Sequence, residues 1–326
     1  MTLIETFSIK ENADIIYTKQ MLQNHFDDTK FIDKSFFLFA FMELATNLIK
    51  HTNGGTVFLF ESLGYYLLGV GDNGTGIQNV TSSLKKGFST ANNSLGLGLY
   101  QLHTNEVYDF EIFSTTQKHF HGTTILLKPK QIYSNITAVS DPFINEKNNG
   151  DFFAKKGKFL LFGDAAGHNK KAHTTAQFIT KKFFSTPLSC ILIDKFFLSL
   201  HQELQDNAMR GAVCIVGEIV KNHLTICGVG DLSLWIKTPK TMQRKKLKSG
   251  IIGEIFSDFQ QYDFMLNKEE FCIITTDGIE ENKMKDFEAI TMQNYSTHFI
   301  AFTMLYFAGS AFDDSSILII KGTDDG

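Results

Sequence analysis

The sequence predicts two consecutive domains of mixed α/β (α+β) class, covering residues 1–130 and 131–326. A length of 326 residues suggests about two domains. Strand-like and amphipathic helical patterns alternate up to Pro129, and the second half is richer in strands. Residues 131–149 between them are mixed and polar, as at a domain boundary. We therefore expect an α/β sandwich followed by a second sandwich with helices outside its strands.

In the first half, the strongest helix pattern covers residues 33–51. Phe37, Phe41, Leu44 and Leu48 share one apolar face there, and the Gly54-Gly55 pair follows as a stop signal. Two further helices are expected at residues 13–25 and 98–107. The strands are expected at residues 3–9, 56–61, 65–70, 110–114 and 123–128.

The second half contains six apolar runs of strand length and three helical patterns. The strands are expected at residues 159–162, 212–220, 224–229, 232–237, 271–276 and 317–321. The helices are expected at residues 172–184, 190–205 and near 299–307. Several of these strands carry an acidic residue at one end, which places the candidate chemistry at strand ends.

Composition excludes several function classes. The formal net charge is -4, so a general nucleic-acid binder is not expected. The longest apolar stretch, residues 299–312, is shorter than the roughly 20 residues of a membrane span. The N-terminal sequence shows no signal-peptide pattern. The four cysteines, Cys190, Cys214, Cys227 and Cys272, lack C-x-x-C spacing and indicate free thiols in a reducing cytoplasm.

The 33–51 helix carries a polar stripe opposite its apolar face. Glu43 and Asn47 are four residues apart, and Lys50 and His51 extend the stripe by one turn. An Asn amide oxygen is a suitable ligand for Mg²⁺, and a Glu beside it could deprotonate an attacking hydroxyl or water. The alternative is an ordinary solvent-facing helix surface.

Two glycine-rich segments follow. Asp72-Asn73-Gly74-Thr75-Gly76 comes after a strand, so Asp72 could accept a hydrogen bond from an adenine amino group; a plain turn is the alternative. Gly96 and Gly98 stand where a helix begins, and exposed backbone N–H groups there favour phosphate. The small polar residues of segment 86–94 are typical of a mobile lid over a nucleotide.

Four acidic residues stand beside expected strands in the second half. Asp151 precedes one strand, Asp164 and Asp277 follow two others, and Asp313 leads into the last. Clustered carboxylates resist ionisation unless cations neutralise them, and oxygen ligands favour Mg²⁺ or Mn²⁺. Two such ions can acidify a shared water. Taken singly, each acid also fits a turn or a cap, and Asp314 could replace Asp313.

The Glu43/Asn47 pair and the two glycine-rich segments, in this order, resemble the N, G1 and G2 boxes of the GHKL ATPase superfamily. With residues 87–90 and 122–124, they resemble more narrowly the RsbT-type serine/threonine switch kinases over residues 1–130. Thr75 departs from the proline frequent there, and the absence of a phospho-accepting histidine box disfavours a histidine kinase. The resemblance implies ATP and Mg²⁺ as ligands, with Glu43 as catalytic base and Asn47 as the Mg²⁺ ligand. Expected nucleotide contacts are Asn47, Lys50, Asp72, Gly74, Gly76, Gly96, Gly98 and Thr123.

The four segments that contain these aspartates resemble the type-2C-like metal-dependent phosphatases of the SpoIIE, RsbU and RsbX group. The resemblance extends from about residue 148 to 321. The resemblance implies an α-β-β-α sandwich holding two Mn²⁺ or Mg²⁺ ions. The expected ligands are Asp151, Asp164, Asp277, Asp313 and the Ala165 backbone carbonyl, although relatives often carry Gly or Val at this last position. Asp164 and His168 are the expected catalytic residues, and a structural role in its loop is the alternative for His168.

Together the two resemblances imply a bifunctional partner-switching regulator. It would phosphorylate and dephosphorylate Ser or Thr of a STAS-domain protein belonging to a sigma-factor regulatory or stressosome complex. The alternative is a serine phosphatase whose N-terminal domain is a non-catalytic gate or an anti-sigma-like binding module. We expect a cytoplasmic protein without nucleic-acid or membrane partners, and the sequence is compatible with an oligomer.

Overall fold

The computed structural model describes residues 1–24, 26–87, 97–142, 149–167, 169–187, 193–310 and 312–324. The chain divides into two compact units, Met1–Ser134 and Asn135–Gly326. The division falls within the polar stretch in which the sequence indicated a boundary. Both units combine helices with antiparallel sheets, so the mixed α/β class predicted from the sequence is confirmed.

The first unit is a five-stranded antiparallel sheet in the order β1-β2-β3-β5-β4, with its two long helices packed on one face. Its strands are β1 (Thr2–Ile9), β2 (Gly55–Ser62), β3 (Tyr65–Asp72), β4 (Tyr108–Gln117) and β5 (Phe120–Pro129). Its helices are α1 (Asn12–Asn24), α2 (Lys34–His51), α3 (Val80–Ser83) and α4 (Gly98–His103), and a short 3₁₀ turn covers Asp28–Lys30.

Helix α2 forms where the apolar periodicity placed it. Asp33 caps its start, because its carboxylate accepts a hydrogen bond of 2.9 Å from the Phe36 N–H. Phe37, Phe41 and Leu44 are buried against the sheet. The chain leaves the helix at Thr52 and turns at Gly54, whose φ of 96° lies in the left-handed region. The buried face fixes the helix, so its polar stripe points away from this core.

The second unit consists of two five-stranded antiparallel sheets, in the orders β13-β10-β9-β8-β7 and β12-β11-β14-β15-β6. The strands are β6 (Ile136–Asp141), β7 (Asp151–Lys156), β8 (Phe159–Ala165), β9 (Ala212–Val220), β10 (His223–Val229), β11 (Ser233–Lys237), β12 (Met242–Lys245), β13 (Gln260–Met265), β14 (Phe271–Thr275) and β15 (Ser315–Lys321). The helices are α5 (Asn169–Ser185), α6 (Ile193–Asp206), α7 (Glu281–Met284) and α8 (Thr297–Ala308), and a 3₁₀ turn covers Lys285–Phe287.

These elements stack as helix, sheet, sheet and helix. One apolar cluster joins the two sheets, with Phe162 and Ile215 from the first and Ile274 and Leu318 from the second. A second cluster packs α5 and α6 on the outer face of the first sheet. Helix α8 contacts β15 and β6 of the other sheet. The four layers are those of an α-β-β-α sandwich, and they bring strand ends from both sheets to a common edge.

Several elements differ from the sequence-based expectation. Residues 136–141 lie in the stretch interpreted as polar boundary, yet they form β6 and pair with β15. Strands β12 and β13 were not expected. Helix α4 ends at His103, four residues earlier than expected, and the Asn105 side chain accepts hydrogen bonds from the N–H groups of Val107 and Tyr108. That turn starts β4 sooner than the sequence indicated.

Within the described residues, no helix combines the length and the apolar character that a membrane span requires. Cys214, Cys227 and Cys272 are buried free thiols, as expected. Cys190 lies outside the described residues.

Candidate functional site

The register of β7 against β8 places two carboxyl groups directly opposite each other. Asp151 begins β7, Asp164 lies near the end of β8, and the two residues are paired across the strands. Like charges in directly opposed positions destabilise a sheet. Burial raises the pKa of the Asp164 carboxyl first, and the neighbouring Asp151, Asp277 and Asp313 charges raise it further. The first sheet thus holds two acids whose ionisation requires a nearby positive charge.

The second sheet brings two more acids to the same edge. Asp277 follows β14 and Asp313 precedes β15, and these two strands are antiparallel neighbours. Burial raises the pKa of Asp277, and the Asp313 and Asp231 charges add to the effect. The four acids predicted from the sequence are therefore within electrostatic reach of one another, at the ends of strands from both sheets.

Asp313 and Asp314 occupy different environments. Asp314 is buried, and its carboxylate accepts a hydrogen bond of 2.8 Å from the Gly150 N–H. Its charge contributes to the raised pKa of Asp151. Asp313 is half-buried, and its charge contributes instead to the raised pKa values of Asp164 and Asp277. Asp314 therefore holds the backbone next to Asp151, and the role of Asp313 as a ligand stays a prediction.

The two oxygens of the Asp151 carboxylate differ in their hydrogen-bond partners. Its Oδ2 accepts a hydrogen bond of 3.0 Å from Thr276 Oγ1, while Oδ1 is buried without a hydrogen-bond partner. Burial is the main cause that raises the pKa of Asp151. A buried oxygen without a partner is costly unless a ligand satisfies it. The orphaned oxygen therefore points to an additional bound group at this carboxylate.

A hard divalent cation fits this donor set, which consists of carboxylate oxygens. Among the described side chains, no group of three or more His, Cys, Asp or Glu is spaced to hold one ion by itself. Mg²⁺ does not require such a group, because it keeps several waters and binds through one or two carboxylates. The donor chemistry of the residues present thus fits a hard divalent cation, and the two-cation site stays a prediction.

Of the two remaining predicted residues of this site, Ala165 is the last residue of β8. Ala165 is fully buried, and its N–H donates to the Gly150 carbonyl at 3.2 Å. A Cβ at Gly150 would approach the Ala165 carbonyl oxygen to 3.1 Å, so Ala165 lies against the Asp151 loop. Its role as a ligand stays a prediction. His168 lies outside the described residues.

The first unit contains a cavity of about 680 Å³ at the polar stripe of α2. Six of the predicted nucleotide-site residues line it, namely Glu43, Asn47, Asp72, Gly76, Gly98 and Thr123. Gly74 does not line it but donates its N–H to Asp72 Oδ1 at 2.8 Å. Lys50 is exposed and is not part of the lining, whereas His51 is. Gly96 lies outside the described residues.

Asp72 is the buried acid of this cavity. It ends β3 and is paired with Thr123 of β5. Burial raises the pKa of Asp72, although hydrogen bonds from Gly74 and Thr123 oppose the rise. A Cβ at Gly122 would overlap the Asp72 carbonyl oxygen, and Gly122 has a φ of 136°. Glycine is therefore required beside Asp72, and the carboxylate is available to a donor inside the cavity.

Residues 155–305 match the family model of stage II sporulation protein E (SpoIIE). They form a SpoIIE-type phosphatase domain. The matched range ends before Asp313 and begins after Asp151, so these two acids are placed by the structure alone. No residue of the first unit lies within the matched range. No curated protein shows significant sequence similarity to the chain.

Several solved structures are similar to part of this chain. A serine/threonine phosphatase of S. agalactiae has a TM-score of 0.50 and 12% identity, covering 58% of this chain and 99% of that chain. RsbX in complex with magnesium has a TM-score of 0.47 and 16% identity, covering 64% and 98%. A structure described as the bacterial stressosome, a modular system adapted to control secondary messenger signalling, has a TM-score of 0.47 and 17% identity, covering 56% and 97%. The first of these similarities shows a shared fold.

The second unit contains two acids that the sequence interpretation missed. Asp231 follows β10 and contributes to the raised pKa of Asp277. Asp141 ends β6, and burial, with the Asp314 charge, raises its pKa to about 6. The Gly230-Asp231 pair after a strand repeats the pattern of Gly163-Asp164 and was a usable signal. No such signal marked Asp141 in the sequence, because strand β6 was not expected.

Proposed function

We propose that the second domain hydrolyses phosphoserine or phosphothreonine in a protein and that it requires Mn²⁺ or Mg²⁺. The observation that carries this proposal is the convergence of Asp151, Asp164, Asp277 and Asp313 around a buried carboxylate oxygen without a partner. The SpoIIE-type match of residues 155–305 supports the same reaction class.

In this proposal the four aspartates hold two divalent cations, with the Ala165 carbonyl as a further ligand. When bound, the cations supply the positive charge that acidifies a water and offsets the charge of the phosphoryl group. Thr276 fixes one oxygen of Asp151, and the other, which has no hydrogen-bond partner, would be available to a cation. His168 is assigned to proton donation or phosphate binding.

The test is dephosphorylation of a phosphoserine STAS-domain protein by the chain in Mn²⁺, in Mg²⁺ and in EDTA. We expect activity with the cations and loss of activity in EDTA. Asp164→Asn should lower kcat/KM by about 100-fold or more, because even changes outside the ligand shell cost about 10- to 100-fold. Asp263→Asn is the matched control, since Asp263 is exposed and bonds Thr225 on β10. Full activity in EDTA would contradict the proposal.

We propose further that the first domain binds ATP with Mg²⁺ and transfers its γ-phosphoryl group to Ser or Thr of the same STAS-domain protein. Glu43 is the proposed base, Asn47 the Mg²⁺ ligand and Asp72 the adenine acceptor. The support is that all three side chains line one cavity of about 680 Å³, within the usual size range of ligand sites. Pure nucleotide binding does not require Glu43. Opposed activities tethered in one chain would act on one partner at raised effective concentration.

A second candidate function makes the first domain a nucleotide-dependent gate or a partner-binding module without kinase activity. This candidate is favoured by the exposed position of Lys50, because its positively charged side chain does not line the cavity. A labelling experiment separates the two candidates. With labelled ATP and the STAS-domain protein, the Asp164→Asn chain should accumulate label, and adding Glu43→Ala should abolish it. An Asp164→Asn chain that binds ATP without labelling the partner would favour the gate.

A further inference from the structure

Helix α5 is joined to the loop before Asp151 by a histidine side chain. His173 lies one turn into the helix, and its Nδ1 is 3.0 Å from the backbone carbonyl oxygen of Asn149. We propose that His173 is a positioning residue of the metal site, which acts through Asn149 to fix the Asp151 carboxylate. The proposal rests on the proposed function of the second domain as a metal-dependent phosphatase.

Asn149 and Gly150, the two residues before Asp151, form several hydrogen bonds. Asn149 Oδ1 accepts the Asp151 N–H at 2.8 Å, and Asn149 Nδ2 contacts Ser140 Oγ. The Gly150 N–H donates to Asp314. These bonds come from the ends of β6 and β15 and from the loop itself. His173 adds the anchor on the helical side, at the carbonyl group of the same Asn149.

Close packing brings the helix to this loop. A Cβ at Gly150 would lie 3.2 Å from Cβ of Ala172, the residue before His173, and 3.3 Å from Asp164 Oδ1. The backbone of Gly150 is thus set between α5 and the acid opposite Asp151. A loss of the His173 bond would release the Asn149 carbonyl and allow the loop to shift along the helix. Such a shift moves Asp151 relative to Asp164, because Asp151 is two residues from Asn149.

The hydrogen bonds select one tautomer of the neutral imidazole. A backbone carbonyl can only accept, so Nδ1 of His173 must carry the proton. Its Nε2 is 2.9 Å from Gln177 Nε2, one turn further along the helix. In the neutral ring Nε2 is an acceptor, and the Gln177 amide can donate to it. Both nitrogen atoms are thereby satisfied in one tautomer, which fixes the ring for its contact with Asn149.

Metal-site partners outside the ligand shell typically change metal affinity about 10- to 100-fold when they are removed. We therefore expect His173→Ala to weaken Mn²⁺ binding by about tenfold or more, measured on the chain by calorimetry or by electron paramagnetic resonance of free Mn²⁺. His173→Asn should restore most of the affinity, because its amide can donate from nearly the position of Nδ1. At saturating Mn²⁺, the KM for the phosphoprotein should stay at the wild-type value.

His223→Ala is the matched control, since His223 is an exposed histidine at the start of β10. It should bind Mn²⁺ like the wild type, and a thermal melt of each variant shows that it is folded. Wild-type affinity in His173→Ala would overturn the role of His173 while leaving the phosphatase intact. A wild-type chain that binds no Mn²⁺ would contradict the proposed function itself.

A second measurement tests the contact without metal. The ¹⁵N resonances of His173 in the metal-free chain, recorded where the ring is neutral, should report the tautomer protonated at Nδ1. Protonation at Nε2 in the neutral ring would overturn the bond to Asn149, and with it the proposal.

Discussion

Gly98 begins helix α4 directly against the carboxylate of Glu43. A Cβ atom at position 98 would overlap Glu43 Oε2 and would lie 3.0 Å from its Cδ. Because glycine has no side chain, position 98 leaves room for the carboxylate of Glu43, the proposed base. Because the overlapping atom is the end of a flexible side chain, a methyl group at position 98 would displace the carboxylate rather than unfold the domain.

We therefore predict that Gly98→Ala separates ATP binding from phosphoryl transfer. Labelling of the STAS-domain protein in the Asp164→Asn background should fall strongly, and by more than the ATP affinity measured by calorimetry, because alanine keeps the backbone N–H expected to contact phosphate. The melting temperature should not fall, because alanine is favoured over glycine in a helix. Undiminished labelling would show that the position of Glu43 does not matter for transfer.

A second prediction concerns Asp72 in the cavity of the first domain. Asp72→Asn replaces one accepting oxygen by an NH₂ donor, which opposes the amino group of adenine. Hydrogen bonds to charged groups contribute about 1.5–3 kcal/mol, so ATP affinity should fall by about tenfold or more. The fold should not be destabilised, because burial already raises the pKa of Asp72 and disfavours its charge.

The measurement for Asp72 is calorimetric titration with ATP, together with a thermal melt of the variant. Asp27→Asn serves as the control, since Asp27 is an exposed acid whose carboxylate bonds Thr29. An Asp72→Asn chain that binds ATP with wild-type affinity would remove Asp72 from the proposed site.

The sequence was informative where a local pattern determines the structure. The apolar face of α2 and its Asp33 cap are local, so the helix and its polar stripe could be predicted. Lys50 and His51 both seemed to extend that stripe. His51 is four residues beyond Asn47 and lines the cavity, while the long Lys50 side chain extends into solvent.

Non-local pairing explains what the sequence could not predict. Strand β6 exists because Val139 pairs with Ile317 of β15, far away in the chain, and a local window over residues 131–149 contains no sign of that partner. The choice between Asp313 and Asp314 has a similar origin. Successive residues entering a strand point to opposite sides, and only the packed sheets determine which side faces Asp164.

The third prediction concerns pH and follows from the raised pKa values of Asp151 and Asp164. Burial, with the charges of neighbouring acids, raises both above the ordinary value of 3.8. Above that value the unfolded chain releases these protons while the folded chain retains them. The folded state then binds more protons, so its stability falls as pH rises. Without metal, the second domain should melt at a lower temperature at about pH 8 than at about pH 5.

Adding Mn²⁺ should reverse this trend, because the cations bind the deprotonated carboxylates. The measurement is differential scanning calorimetry in EDTA and in excess Mn²⁺ at both pH values. Asp164→Asn is the internal control, since it lacks one of the two titrating groups and should show a flatter profile in EDTA. A wild-type domain in EDTA that becomes more stable with rising pH, beyond the change seen in Asp164→Asn, would contradict the buried acid pair.

The fourth prediction separates the two adjacent acids before β15. Asp314 accepts the buried Gly150 N–H, so Asp314→Ala would leave that donor without a partner. An unsatisfied buried group costs about 1–3 kcal/mol, and the melting temperature should fall accordingly. Asp313→Ala removes a half-buried carboxylate whose charge raises the pKa values of Asp164 and Asp277, so it should weaken Mn²⁺ binding. It also removes the acceptor of the less buried Asp314 N–H, so the metal-free melting temperature should fall by less than in Asp314→Ala. Calorimetric titration and thermal melts of both variants in EDTA make the comparison. If Asp314→Ala kept its stability and lost Mn²⁺ binding while Asp313→Ala bound normally, the assignment of ligand and support would be exchanged between these two residues.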